Sequence, residues 1–199
     1  MELVVISSPV AIADEPILIN NLFHAGLKCF HLRKPEVGIQ TVKKLLDGIA
    51  PLFYDRIALH LFHEIAADYG LKRLHYTERV REASGTVQWQ SQLDEGFTLS
   101  ASIHDISILP ELTHFDYVFY GPVFDSISKP GYQNKLAVDF KLGKTNVKPK
   151  VIALGGVEIS NLTKIKAMGF DGAAVLGTLW NEPGKAIERY HQLKKNLPV

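Results

Sequence analysis

The stretch VIALGGVEISNLTKIKAMGFDGAAVLGTL, residues Val151–Leu179, holds the fold in miniature. Its two apolar runs, KVIALGG (150–156) and GAAVLG (172–177), have strand length and lack alternation, as strands buried on both faces do. Between them ISNLTKIKAMG (159–169) carries helical periodicity and stops at Gly169, just beyond the apolar pattern. Strand, helix and strand in that order form a unit of parallel sheet.

The unit recurs along the chain. Upstream runs of the same kind are ELVVIS (2–7), KCFHLR (28–33), RIALHL (56–61), RLHY (73–76), FTLSAS (97–102) and DYVFYG (116–121). Helix-period segments lie at 15–26, 39–50, 63–70 and 184–195, with Gly26 and Gly70 as further stops. About eight repeats predict an α/β fold: a closed single-domain (β/α)8 (TIM) barrel over 1–199, with short loops. A doubly wound sheet is the alternative. Residues 77–97 are polar with poor helical periodicity, which predicts a degraded fourth helix, and 131–149 predict an irregular sixth connection.

Composition narrows the function. The chain has 199 residues, is 46% hydrophobic and 22% charged, and fits one globular domain. A net charge of +1 supplies no long-range field for nucleic acid, so anion chemistry must be local. Cys29 is the single cysteine, which excludes an internal disulfide and reads as a buried thiol. The opening MELVVISSPVAIA has Glu2 where a secretory leader is basic, and no run reaches the length of a membrane span. The reading is a cytoplasmic protein with no nucleic-acid or membrane partner.

In a barrel of this type chemistry sits at the C-terminal ends of the strands. Gly155 and Gly156 end one strand before a helix, and Gly177 with Thr178 follows the last; both suit backbone contacts to a phosphate. GPVFDSISKPG (121–131) brings Ser126, Ser128 and Lys129 to the exit of an apolar strand, an anion-holding set that Arg33 and Ser102 can join. A surface ion pair with Glu36 is the other reading of Arg33. His104 stands two residues beyond Ser102 and can transfer protons near neutral pH without cofactor or metal. His31 and His60 lie near strand ends as substrate-binding candidates or core caps. The eight histidines form no metal motif, and no Ser–His–Asp order is discernible.

Together these residues resemble the thiamin phosphate synthase/TenI family of (β/α)8 barrels, through DYVFYGPVFDSISKPG (116–131) and VIALGGVEISNLTKIKAMGFDGAAVLGTL. For a synthase the resemblance implies Mg2+-dependent coupling of a pyrimidine diphosphate to a thiazole phosphate, with diphosphate released. Gly156 and Gly177 would hold the thiazole phosphate; Arg33, Ser102, Ser126, Ser128 and Lys129 the diphosphate. The synthases carry glutamine-leucine-arginine-x-lysine after the second strand, where this chain reads HLRKP, with Lys34 the nearest substitute for the lysine. They carry asparagine-aspartate after the third, where it has His60 and Leu61. The second metal aspartate falls at Val80, with Glu78 nearby.

TenI proteins share histidine-x-arginine after the second strand and lack the first aspartate. That likeness implies a thiazole tautomerase, an isomerase without metal or other cofactor, with His104 as acid and base, the phosphate at Gly156 and Gly177, and a carboxylate near Arg33. The alternatives are a synthase, a transferase using Mg2+, and a non-catalytic barrel that binds a phosphate ligand or regulates. In each, the partner is a small phosphorylated thiazole ligand or its kind, and a homodimer is allowed.

Overall fold

Strands of three to six residues pair in parallel and in chain order until the last meets the first: β1 (Glu2–Ile6), β2 (Phe30–Leu32), β3 (Ile57–Leu59), β4 (Arg73–Tyr76), β5 (Thr98–Ile103), β6 (Tyr117–Tyr120), β7 (Lys150–Leu154) and β8 (Gly172–Val175). The structure is a computed structural model that describes residues 1–124, 140–143 and 148–198. The eight strands coincide with the eight apolar runs, and the sheet closes into the expected barrel. No helix among the described residues is long and apolar enough to cross a membrane.

Each strand divides its residues between two layers. Phe30, Leu32, Leu74, Tyr76, Leu99, Ala101 and Val118 pack outward into the large core beneath the helices. Val4, Ile6, Tyr117, Phe119, Ile152 and Ala174 fill the barrel interior. The alternate positions of β2, β4 and β5 add His31, His75 and Ser100 to the buried set.

The helices cover the outer layer through apolar residues three and four apart. α1 (Glu15–His24) buries Ile19, Leu22 and Phe23, and α2 (Ile39–Asp47) buries Val42, Leu45 and Leu46. The chain leaves α1 through Ala25 and Gly26, whose φ of 99° suits glycine. The fourth connection is α3 (Glu78–Ala83) and α4 (Thr86–Asp94), broken at Ser84 and Gly85; this split pair is the expected degraded helix. Trp89 is the buried residue of α4, and its indole donates to Ser84 Oγ at 2.9 Å across the break. α5 (Leu162–Ala167), α6 (Gly177–Trp180) and α7 (Ala186–Lys195) complete the set.

The third connection corrects the sequence reading. Residues 63–70 form a single 3-10 turn, His63–Ile65, followed by turns that end at Gly70, φ 66°. Ile65 and Ala66 are its two buried apolar anchors, and one turn buries both without a helix. A groove of about 530 Å³ bordered by His63, Ala67, Gln88, Gln92 and Phe97 lies where a third helix would pack. In the sixth connection Phe140–Gly143 have no regular structure, and Leu142 N–H donates to Met168 O at 2.9 Å.

Closure joins β1 to β8 in the register Glu2↔Gly172 through Val5↔Val175. A Cβ at Gly172 would lie 2.6 Å from Ile152 Cδ1 and 2.7 Å from the Glu2 carbonyl oxygen. The backbone contact cannot yield without opening the seam. Gly172→Val should therefore cost about 1–3 kcal/mol by overpacking, read as a lower urea midpoint with an unchanged slope; a midpoint equal to wild type would show that the seam adapts.

Candidate functional site

At the C-terminal end of the barrel every neighbouring pair of strands is tied by a hydrogen bond just inside or beyond the last ladder rung. Ser7 Oγ donates to Arg33 O and accepts from Arg33 N–H (2.9 and 2.8 Å), joining the exits of β1 and β2. His31 Nδ1 meets His60 Nε2 at 2.8 Å between β2 and β3, and His63 Nε2 donates to His75 O at 3.1 Å between β3 and β4. Glu78 Oε1 accepts from His104 N–H (3.2 Å), and His104 Nδ1 donates to Gly121 O (2.5 Å), which carries the circuit across β5 to β6. Val123 and Phe124 N–H donate to Leu154 O and Gly155 O at 2.9 and 3.2 Å. Thr178 Oγ1 donates to Val157 O (2.5 Å), and Trp180 Nε1 donates to Ile6 O (2.6 Å), which returns to β1.

Two glycines make the β6–β7 link possible. A Cβ on Gly121 would lie 2.2 Å from Leu154 O, and one on Gly155 would lie 2.9 Å from Pro122. Gly155 and Gly156 both have left-handed backbones, at φ 94° and 61°. Asn161 then closes the turn, donating from Nδ2 to Gly156 O at 2.8 Å and accepting from Glu158 N–H at 2.9 Å. Among the described residues neither Gly156 nor Gly177 donates its N–H to a turn or loop partner. The Thr178 hydroxyl proton is already spent on Val157, so its share in any anion contact is left to the backbone.

Beneath the rim lies a polar layer that sequence reasoning found only in part. His31, His60, His75 and Ser100 are all buried. His31 Nε2 meets the Tyr117 hydroxyl at 2.7 Å, and Tyr117 in turn lies 3.5 Å from Cys29 Sγ. His75 Nδ1 is 2.9 Å from Ser100 Oγ, and its Nε2 is 2.9 Å from Ser102 Oγ. Ser100 donates its proton to Leu74 O at 3.2 Å, so it accepts from His75 Nδ1–H. His75 Nε2 is then an acceptor, and Ser102 directs its own proton inward to it. Ser102 therefore presents lone pairs, and no proton, to the mouth. The available signal for this layer was the two-residue spacing of Ser100 and Ser102, with His75 at an inward position of β4.

Burial sets the charge of these groups. It pushes His31 and His60 well below the ordinary histidine value, and coupling to the neighbouring His75 imidazole adds to the effect in both. His75 falls to about 3, chiefly by burial, then through His63 and Arg33. Burial, followed by Cys29, raises Tyr117 well above the usual phenol value. At neutral pH the layer is therefore an uncharged network of imidazoles, phenol and hydroxyls.

Arg33 and Lys34 part company. Lys34 is buried against Glu15 of α1, at 2.7 Å, and donates to Val10 O at 2.8 Å; it does not replace the family lysine at the mouth. Arg33 is half-buried, and its guanidinium makes no hydrogen bond or ion pair with a described residue, Glu36 included. Its positive charge disfavours protonation of both His60 and His75, behind burial and other histidines in each. His104 is exposed at the rim, with Nε2 3.9 Å from Glu78 Oε2. Ser126, Ser128 and Lys129 lie outside the described residues.

The Mg2+ that a synthase implies does not fit the described residues. Mg2+ takes hard oxygen ligands, carboxylates above all, and the corresponding positions hold His60, Leu61 and Val80, with Glu78 already engaged by His104. The imidazoles of His31, His60 and His75 each bring a nitrogen within 4.8 Å of the others, but this is no ready shell. Metal–nitrogen bonds of about 2.0–2.1 Å need lone pairs aimed at one point, whereas the His60 and His75 rings are stacked at 4.0 Å. Five of the six nitrogens already have hydrogen-bond partners; His60 Nδ1, buried and unpaired, is the exception.

Residues 3–179 match the model of the thiamine monophosphate synthase family. A thiamine-phosphate synthase of Listeria innocua is 23% identical over 182 residues, covering 82% of this chain and 81% of its own. A thiamine phosphate pyrophosphorylase from Bacteroides thetaiotaomicron is 29% identical, covers 98% of this chain and 97% of its own, and superposes with a TM-score of 0.77. The pyrophosphorylase of Pyrococcus furiosus shares the fold, with a TM-score of 0.73 at 14% identity and coverage of 98% and 94%. The Listeria relative is named a synthase, a transferase, and the two structures pyrophosphorylases; none is named a tautomerase, and that expectation is corrected accordingly.

The neutral histidines give folding a pH dependence. An unfolded histidine takes up a proton below its ordinary value of 6.5, while folded His75 stays neutral to about 3. The unfolded chain binds more protons in that window, so stability is full above 6.5 and falls with pH, by about 1.4 kcal/mol per unit for each such histidine. Urea unfolding between pH 7 and pH 5.5 should show a slope greater than one proton, reduced in His31→Gln. A flat profile would mean that the imidazoles are not held neutral.

Proposed function

The chain belongs to the thiamine monophosphate synthase family, and from that premise we propose that it is a thiamine-phosphate synthase. It joins a pyrimidine diphosphate to a thiazole phosphate and releases diphosphate. The carbon–oxygen bond to the diphosphate breaks, its electron pair leaves with the diphosphate, and the carbon bonds to the thiazole nitrogen.

One observation carries the reading beyond kinship: an arginine at the strand exits with no described counter-charge. Arg33 is fixed through its backbone by Ser7, and the His60 and His75 imidazoles on which its charge acts are held neutral, chiefly by burial. A guanidinium so placed suits two-pronged contact with phosphate oxygens. It supports the departing diphosphate, with Lys129, Ser126 and Ser128 as sequence-level candidates beside it. The Gly156 and Gly177 N–H groups suit the thiazole phosphate across the mouth. His104, bound at Nδ1 to Gly121 O and facing Glu78, serves here as a tie between the fourth, fifth and sixth exits.

The test is direct. Purified protein supplied with pyrimidine diphosphate, thiazole phosphate and Mg2+ should form thiamine phosphate. Arg33→Ala should lower kcat/KM by about 100-fold or more, the usual loss for a group that stabilises departing charge. Calorimetric binding of both ligands with no product would instead favour a phosphate-ligand-binding barrel.

A further inference from the structure

Lys34 and Glu15 form the one buried ion pair among the described residues, and the proposed reaction gives it no part. The ammonium uses all three of its donors, on Glu15 Oε1 at 2.8 Å, Glu15 Oε2 at 2.7 Å and Val10 O at 2.8 Å. Both carboxylate oxygens are engaged in return. Burial raises the Glu15 carboxyl above its ordinary value, and Lys34 opposes that rise. Taking two charges out of water is costly, and an apolar pair of similar volume is often as stable or more so. Stability alone is therefore a weak reason for this pair. What it supplies is direction, because a saturated ammonium has one orientation.

That direction bears on the preceding residue. β2 turns His31 into the polar layer and Leu32 outward beneath the helices. Extended backbone continued past Leu32 repeats the alternation, sending Arg33 toward the mouth and Lys34 to the outer side. Pro35 favours that continuation, since the residue before a proline is biased to extended backbone. Glu15 stands on the outer side in the first turn of α1, so the observed pair and the alternation agree.

Arg33 is thus held from two sides. Ser7 Oγ grips its N–H and carbonyl from the β1 exit. The ammonium of the next residue fastens the chain to α1 and, through Val10 O, to the loop that follows β1. The guanidinium itself stays without a described partner. Without the pair, the β2 exit keeps the Ser7 tie, but residue 34 is no longer held outward and the side chain at 33 is no longer committed to the mouth.

We propose that Lys34 is a positioning residue, whose buried pair with Glu15 fixes the β2 exit so that Arg33 is presented to the diphosphate. This inference rests on the reading of Arg33 as the diphosphate contact. It gives neighbouring cations opposite tasks: the one at 33 meets the ligand, and the one at 34 never touches it.

The test is calorimetric titration of inorganic diphosphate into the full chain and three variants: Arg33→Ala, the pair Lys34→Met/Glu15→Leu, and all three substitutions together. The pair variant removes both charges at once and leaves none buried without a partner, so its urea midpoint should equal or exceed that of the wild type. Its diphosphate Kd should nevertheless rise about 10-fold or more, the worth of a displaced charge-assisted hydrogen bond. With Arg33 already alanine, the same two substitutions should change Kd less than about 2-fold, because the coupling runs through that side chain. If the pair variant does not fold, Lys34→Met/Glu15→Gln is read in the same way. A folded pair variant that binds diphosphate as the wild type does overturns this inference and leaves Arg33 as the diphosphate contact. So does one that loses the same factor with and without Arg33. Wild-type affinity in Arg33→Ala overturns both.

Discussion

Closure of the sheet at β1 and β8 is the constraint on which the site depends. Parallel strands that met only seven neighbours would leave two edges and a splayed mouth. Here the last strand reaches the first because Gly172 lets the Glu2 backbone approach. Once the ring is shut, each exit loop has two neighbours at fixed spacing, and the ties between Ser7 and Arg33, His104 and Gly121, and Thr178 and Val157 can all form together. The rim is then a closed circuit whose rigidity does not depend on any single long loop.

The interior departs from the usual filling of branched apolar side chains. Three imidazoles, a phenol and two serines cost desolvation that leucine or valine would avoid, and they are tolerated because nearly every polar atom has a partner. The pairing is ordered: Leu74 O accepts from Ser100, Ser100 from His75, and His75 accepts from Ser102. Such an array holds its orientation without charge. Around it stand charged groups: Arg33 and Glu78 at the rim, and the Lys34–Glu15 pair, which is turned outward toward α1.

The fold was legible in the sequence because strands buried on both faces leave a continuous apolar run, and all eight did so. Gly26, Gly70 and Gly169 marked their turns correctly, each having a positive φ. The third connection misled because HEIAADYG has helical spacing but only two buried anchors, and periodicity does not report how much surface there is to cover. Site residues at strand exits were found by position. The partners that define them were not, since His75–Ser102 and His31–Tyr117 bring together residues 27 and 86 positions apart. Hydroxyl direction was also out of reach: Ser102 and Thr178 are at the mouth, yet their protons point to His75 and Val157.

The imidazole at 60 and the aliphatic side chain at 61 have a consistent electrostatic result. A carboxylate beside Arg33 would neutralise it unless a cation were also bound. Leucine at 61 and a neutral imidazole at 60 leave the guanidinium without a counter-charge among the described residues, and its charge in turn helps to hold His60 and His75 neutral. Each side of this arrangement supports the other: protonated imidazoles would repel Arg33, and loss of Arg33 would ease their protonation. An anion bound at the guanidinium offsets that same charge. An anion at the rim and proton affinity in the floor are therefore linked through one residue.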